Sequence, residues 1–153
     1  LIRGYGKTYG CTGWRLGYAA GPSWLIREMS KLQQYSFVCA PSMAQAGVIG
    51  AFDADMSEAI ENFQRRSSKI RDAFDGLASV AQMGGAFYAF VEVPPHLGCT
   101  ATEFSEAAIE HNVIIIPGNV FSSRDTHFRI SYAVPDETLE QGLAVLAGMM
   151  RST

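Results

Sequence analysis

Cysteine, histidine and long apolar runs are all scarce in this chain. Cys11, Cys39 and Cys99 are odd in number and far apart, so no disulfide framework is expected and a reducing cytoplasm is the expected compartment. His96, His111 and His127 show no metal-ligand spacing; no metal is expected, and they read as surface residues or as residues behind a site. Apolar stretches such as Val113–Ile116 are short, far below the ~18 residues that a membrane-spanning helix needs. Charge of one sign does not accumulate either. The formal net charge is −3, and no basic cluster points to nucleic acid as a partner. Internal repeats and low-complexity linkers are also lacking.

What is present suits one well-cored globular domain: 153 residues, 48% of them hydrophobic. Trp14 to Ala20 reads as a strand that Gly21-Pro22 ends. Trp24 to Tyr35 reads as a helix with Leu25, Met29 and Leu32 on one face, and Pro41 opens a second helix of small residues, whose lack of bulk predicts close packing on a neighbour. Asp55 and Glu58 have capping-box spacing before a long helix to about residue 78, with Ile60, Phe63, Ile70, Phe74 and Leu77 as its apolar stripe. Arg65, Arg66, Lys69 and Arg71 share that helix with Glu58, Glu61, Asp72 and Asp75, which predicts a solvated, charge-paired face rather than a nucleic-acid surface.

Beyond Gly85, Ala86 to Val93 reads as a strand stopped by Pro94-Pro95. Thr100 and Glu103 cap a helix to about His111, and Val113 to Ile116 form a short strand ending in a Pro117-Gly118 turn. Phe128 to Val134 is another strand. Pro135, Asp136 and Glu137 open a last helix striped by Leu139, Leu143, Leu146 and Met150. The order strand, helix, strand, strand, helix suits an α+β or α/β layered domain. The long helix near residues 55–78 is where two structural units are expected to join.

Two constellations carry chemistry. The first is Gly4-Tyr5-Gly6-Lys7-Thr8-Tyr9-Gly10-Cys11-Thr12-Gly13-Trp14-Arg15-Leu16-Gly17, which places an arginine eight positions after a lysine among glycines. A lysine amine attacks an aldehyde only after losing its proton, so it needs partial desolvation or a neighbouring cation such as Arg15. An arginine grips phosphate with a planar fork of donors. Gly6-Lys7-Thr8 also has the tail of a phosphate-binding P-loop, but position 1, where that motif requires glycine, is Leu1. The second constellation is Pro117-Gly118-Asn119-Val120-Phe121, followed by Phe128-Arg129-Ile130-Ser131-Tyr132-Ala133. Taken alone, Arg129 reads as an edge-strand arginine paired with an acid such as Asp125.

Together these segments, with Tyr18-Ala19-Ala20-Gly21-Pro22 and Gly84-Gly85-Ala86-Phe87-Tyr88, resemble the class I (fold-type I) pyridoxal-phosphate aminotransferases, most closely the aspartate aminotransferase-like ones. The resemblance runs over nearly the whole chain but covers only the C-terminal part of that fold. It implies an α/β architecture with an α+β small domain, helices packed on a small mixed sheet, residues 1–53 finishing the large cofactor domain and residues 54–153 forming the small one. It implies that Lys7 forms a Schiff base with pyridoxal 5'-phosphate, that Arg15 holds the cofactor phosphate, and that Arg129 binds the substrate α-carboxylate. Substrates would be an amino acid and a 2-oxo acid, and the full-length protein a homodimer.

The aspartate, ring-stacking aromatic, asparagine and tyrosine that complete such a site would lie upstream, so this portion alone is expected to be inactive. The chain starts without methionine and Lys7 lies six residues from its end, from which a longer protein is expected. A β-lyase or cyclopropane-forming synthase shares these motifs, and a transcription regulator can carry such a fold without catalysis. Phe87 and Tyr88 are expected to pack first and touch substrate second. Cys11 and the loop Ser122-Ser123-Arg124-Asp125 depart from the family pattern, the loop leaving its own shape and substrate preference open.

Overall fold

A computed structural model describes residues 1–151. The chain divides into two compact units, Leu1–Met56 and Ser57 onward.

The first unit begins with a hairpin. Strand β1 (Ile2–Gly4) pairs antiparallel with β2 (Gly17–Ala19), in the register Ile2 to Ala19, Arg3 to Tyr18 and Gly4 to Gly17. Between them lie the single helical turn α1 (Tyr5–Thr8) and a 3-10 turn over Thr12–Trp14. The strand expected from Trp14 therefore starts only at Gly17, because Trp14 ends that turn and Arg15 adopts left-handed backbone at φ 52°. Helix α2 (Ser23–Ser36) and helix α3 (Ser42–Ile49) follow. Leu25 and Leu32, expected on a packed face, are exposed, and no residue of α2 is buried. The small residues of α3 do admit a neighbour: a Cβ at Gly47 would lie 2.9 Å from the Trp14 ring.

The second unit is a sheet covered on one side by three helices. Strand β5 (His127–Ser131) runs between β3 (Tyr88–Glu92) and β4 (Ile116–Pro117), antiparallel to both. Where a mixed sheet was expected, the described pairings are all antiparallel, because the loop after β4 reverses the chain and returns it as the central strand. Alternation along the strands sorts the faces. Ala89, Val91, Phe128 and Ile130 are buried and join one core with helices α4 (Ser57–Phe74), α5 (Ala101–Glu110) and α6 (Asp136–Arg151). From α4 the core takes Ile70 and Phe74, and from α6 the predicted stripe Leu139, Leu143, Leu146 and Met150. Ile60 is exposed instead. Helix α4 ends at Phe74 rather than near 78 because Gly76, at φ 68°, supplies the left-handed residue that closes a helix. Helix α5 carries the predicted capping box, Thr100 with Glu103.

Three of the four basic residues of α4, Arg65, Arg66 and Lys69, pair with acids of α6 rather than with acids of their own helix. Arg65 and Arg66 donate to the Asp136 carboxylate at 2.9 and 2.7 Å, and Lys69 donates to Asp136 at 3.0 Å and also to Glu140. Arg71 donates to the hydroxyls of Ser67 and Ser68. Asp136 opens α6, where a carboxylate also meets the positive end of the helix dipole. Its side chain lies within reach of three cations on neighbouring turns of α4, and an acid placed along α4 itself does not meet all three.

Arg66 first, then Lys69 and Arg65, hold the Asp136 carboxyl well below the usual carboxylate range. Glu140 first, then Asp136, raise the Lys69 ammonium above the usual lysine range. The Asp136 contribution to stability is therefore complete above the ordinary aspartate range and is lost as pH falls through its lowered value; the Lys69 contribution is lost only as pH rises past its raised value. Asp136→Asn is expected to lower the thermal midpoint at neutral pH, and the gap from the native chain should close in strong acid. Circular-dichroism melts over a descending pH series check this; a gap that persists unchanged into strong acid counts against the pairs.

Candidate functional site

The glycine-rich segment folds so that its two cations face one space. Tyr5 N donates to Leu16 O at 3.1 Å, and Tyr9 N to Tyr5 O at 3.0 Å. These bonds fix the turn that carries Lys7 against the start of β2. The 3-10 turn and the left-handed Arg15 bring the chain back. Lys7 and Arg15 consequently line one cavity of about 280 Å³, with Gly4, Gly6, Thr12, Leu16 and Gly17. Both cations are exposed, so residues of this unit supply the neighbouring positive charge but not the desolvation expected around the lysine. Around this turn Tyr5 packs on Tyr18 and Phe52, with ring centroids 5.3 and 5.8 Å apart. Cys11 is half-buried and, like the other two cysteines, free.

Arg129 lies in the second unit, on the central strand and not at an edge. The alternation that buries Phe128 and Ile130 turns Arg129 to the opposite sheet face with Phe90, its partner in register. Asp125 is not its counter-ion. That carboxylate accepts from Thr102 N at 3.1 Å and from Thr102 Oγ1 at 2.7 Å, so it caps the first turn of α5. Asn119 Nδ2 donates to the same Thr102 hydroxyl at 2.9 Å. The loop that departs from the family pattern is thus bound to a helix end, and among the described residues no carboxylate pairs with Arg129.

Two aromatic rings hold the Arg129 guanidinium instead. Its Cζ sits 4.2 Å over the Tyr88 ring and 4.3 Å over the Phe121 ring. Sequence reasoning placed Tyr88 as a packing residue and gave Phe121 no role. Their meeting with Arg129 depends on the β3–β5 register, in which Tyr88 is the diagonal neighbour of Arg129, and periodicity does not reveal register. Tyr132 of the same motif is a core residue. Its hydroxyl donates to Ala86 O at 3.1 Å, and burial raises its ionisation above the usual tyrosine range.

Residues 1–146 match the family of aminotransferases of class I and II. The chain belongs to that family. It is 33% identical over 159 residues to the aspartate aminotransferase of Pyrococcus abyssi, covering 98% of this chain and 40% of that protein. It is also 33% identical over 151 residues to the aromatic-amino-acid aminotransferase 2 of Thermococcus litoralis, covering 93% and 38%. Among solved structures, the aromatic aminotransferase from Pyrococcus horikoshii superposes with a TM-score of 0.87 at 30% identity, over 98% of this chain and 42% of that one. This aminotransferase chain therefore spans 38 to 41% of the length of the curated relatives it matches. The expected α/β fold is the fold of these structures.

Local geometry of the aminotransferase hairpin gives a direct test. A Cβ at Gly17 would lie 2.7 Å from Arg3 O, whereas one at Gly13 meets nothing within 4 Å. Gly17→Ala is expected to cost about 1–3 kcal/mol of stability, as overpacking does. Gly13→Ala should stay within about 0.5 kcal/mol. Denaturant unfolding of the two variants checks the difference, and equal midpoints would refute the described approach of β1 to β2.

Proposed function

We propose that the full-length protein exchanges an amino group between an L-amino acid, aspartate or a related one, and a 2-oxo acid, with pyridoxal 5'-phosphate as cofactor. The observation that carries this reading is the shared cavity of Lys7 and Arg15, in a chain of the class I and II aminotransferases. The donor set suits the group: a primary amine for an aldehyde, a guanidinium for a phosphate, and small residues between them that leave room. When bound, pyridoxal phosphate supplies an electron sink for charge developing at the substrate α-carbon.

Lys7 would hold the cofactor through Nζ, and the same amine moves the proton at the substrate α-carbon. Arg15 neutralises the phosphate. Arg129, on a rigid central strand and unpaired with acid, takes the substrate α-carboxylate in a bidentate pair and so orients the α-carbon. Relatives named as aspartate and aromatic-amino-acid aminotransferases support the substrate class. In this reading the unit to Met56 completes the large cofactor domain and the unit from Ser57 is the small domain; the compact division at that point supports it. The full-length enzyme is a cytoplasmic homodimer, and the chain alone is inactive.

Borohydride reduction with pyridoxal phosphate, followed by mass mapping, should place one adduct on Lys7 in the full-length protein; labelling spread over Lys31 and Lys69 instead would sink the assignment. Lys7→Ala should lower kcat by about 10³-fold, the scale of a lost proton-transfer group. Arg15→Ala should weaken cofactor binding by about 10- to 100-fold, the scale of lost hydrogen bonds between charged groups. Turnover that continues without any oxo acid would identify a lyase rather than a transaminase.

A further inference from the structure

We infer that Tyr88 and Phe121 are positioning residues for Arg129: they hold its guanidinium by π contact and so leave its N–H donors unspent for an incoming carboxylate. The inference rests on the proposed carboxylate role of Arg129.

A long cationic side chain has many rotamers, and a neighbouring carboxylate is the common way to pin it. That solution is unavailable at a carboxylate-binding site, because a resident acid fills the donor fork and cancels the charge. An aromatic ring attracts the cation through its electron-rich face and takes up no N–H donor. Arg129 has this second arrangement twice, at 4.2 Å over Tyr88 and 4.3 Å over Phe121, and none of its guanidinium donors has an acceptor among the described residues. Asp125, the acid nearest to it in sequence, is committed to Thr102.

Packing within their own unit does not account for the two rings: in it Tyr88 is 36% exposed and Phe121 49% exposed. Each has a further aromatic neighbour. Phe87 lies 4.5 Å from Tyr88 between ring centroids, and Phe90 meets Phe121 edge-on at 6.5 Å. Phe90 in turn stacks on His127 at 5.4 Å. The rings that hold the cation are thus themselves held, which a positioning role requires and incidental contact does not.

The test uses the full-length holoenzyme. Tyr88→Leu and Phe121→Leu should each raise KM for both the amino acid and the oxo acid about fivefold, within the range of lost cation–π contacts, while kcat stays within about twofold. Calorimetry with propionate, an unreactive monocarboxylate, should show the same loss. Tyr88→Phe, which keeps the ring, should behave as the native enzyme. Arg129→Leu should weaken propionate about 100-fold, and adding Tyr88→Leu to it should change nothing further. Native propionate affinity in both ring variants, with loss in Arg129→Leu, overturns the positioning inference and leaves the carboxylate role standing. Equal loss in Tyr88→Leu and Tyr88→Phe also overturns it, since the hydroxyl would then be responsible. Native affinity in Arg129→Leu removes the carboxylate role, and the inference with it. Should Tyr88→Leu fail to fold by thermal melt, Phe121→Leu decides alone, because that side chain is the more exposed.

Discussion

The ordering of the second unit depends on a period of two along five residues. From His127 to Ser131, every other side chain enters the core, and β5 lies between two neighbours that pair with it in fixed register. A slip of one residue would turn Phe128 and Ile130 to water and Arg129 into a core without a partner for its charge. The apolar residues therefore fix more than stability. Their burial aims the arginine, and the same register brings Tyr88 beside it. Packing thus sets the sheet face that the arginine takes, and the two rings set where its guanidinium lies on that face.

The first unit uses a different principle. It has little core of its own, with Leu16 and Val48 as its buried hydrophobic residues, and its order comes from backbone approach. β1 and β2 come close at Gly17, where the Arg3 carbonyl leaves no room for a Cβ, and the chain between them bends back through a 3-10 turn and one left-handed residue. Two cations on successive turns of the chain, Lys7 and Arg15, thereby line the same small cavity. Like charges so placed do not attract each other, and a phosphate-bearing aldehyde is a ligand that both can satisfy.

The elements that the sequence revealed are those whose signals are local. The α5 capping box, the α6 stripe and the Gly21-Pro22 stop are set by residues within a few positions, and all three appear in the structure. The misread features depend on partners distant in sequence. The basic face of α4 looked self-paired because its acids are near in sequence, yet Arg65, Arg66 and Lys69 reach Asp136 about seventy residues away. Arg129 looked like an edge residue because nothing in its strand shows that β5 is flanked on both sides. For α2, amphipathic spacing alone predicted a covered stripe that its own unit leaves exposed. Of the site, the residue types and their spacing were legible, whereas the rings over Arg129 appear only once register is known.

The last helix is fastened at both ends. At its start Asp136 is bound by three cations of α4; at its end the carbonyl of Met150 lies 2.9 Å from His96 Nε2. Between those anchors the leucine stripe must also meet the core. Such a helix works as a gauge block. Its sixteen residues set a span of about 24 Å, and one residue more would turn one anchor by about 100° relative to the other. Conservative side-chain exchange along its outer face is then tolerated, while any change in length is not, and the permitted variation of this segment is one of composition at constant measure.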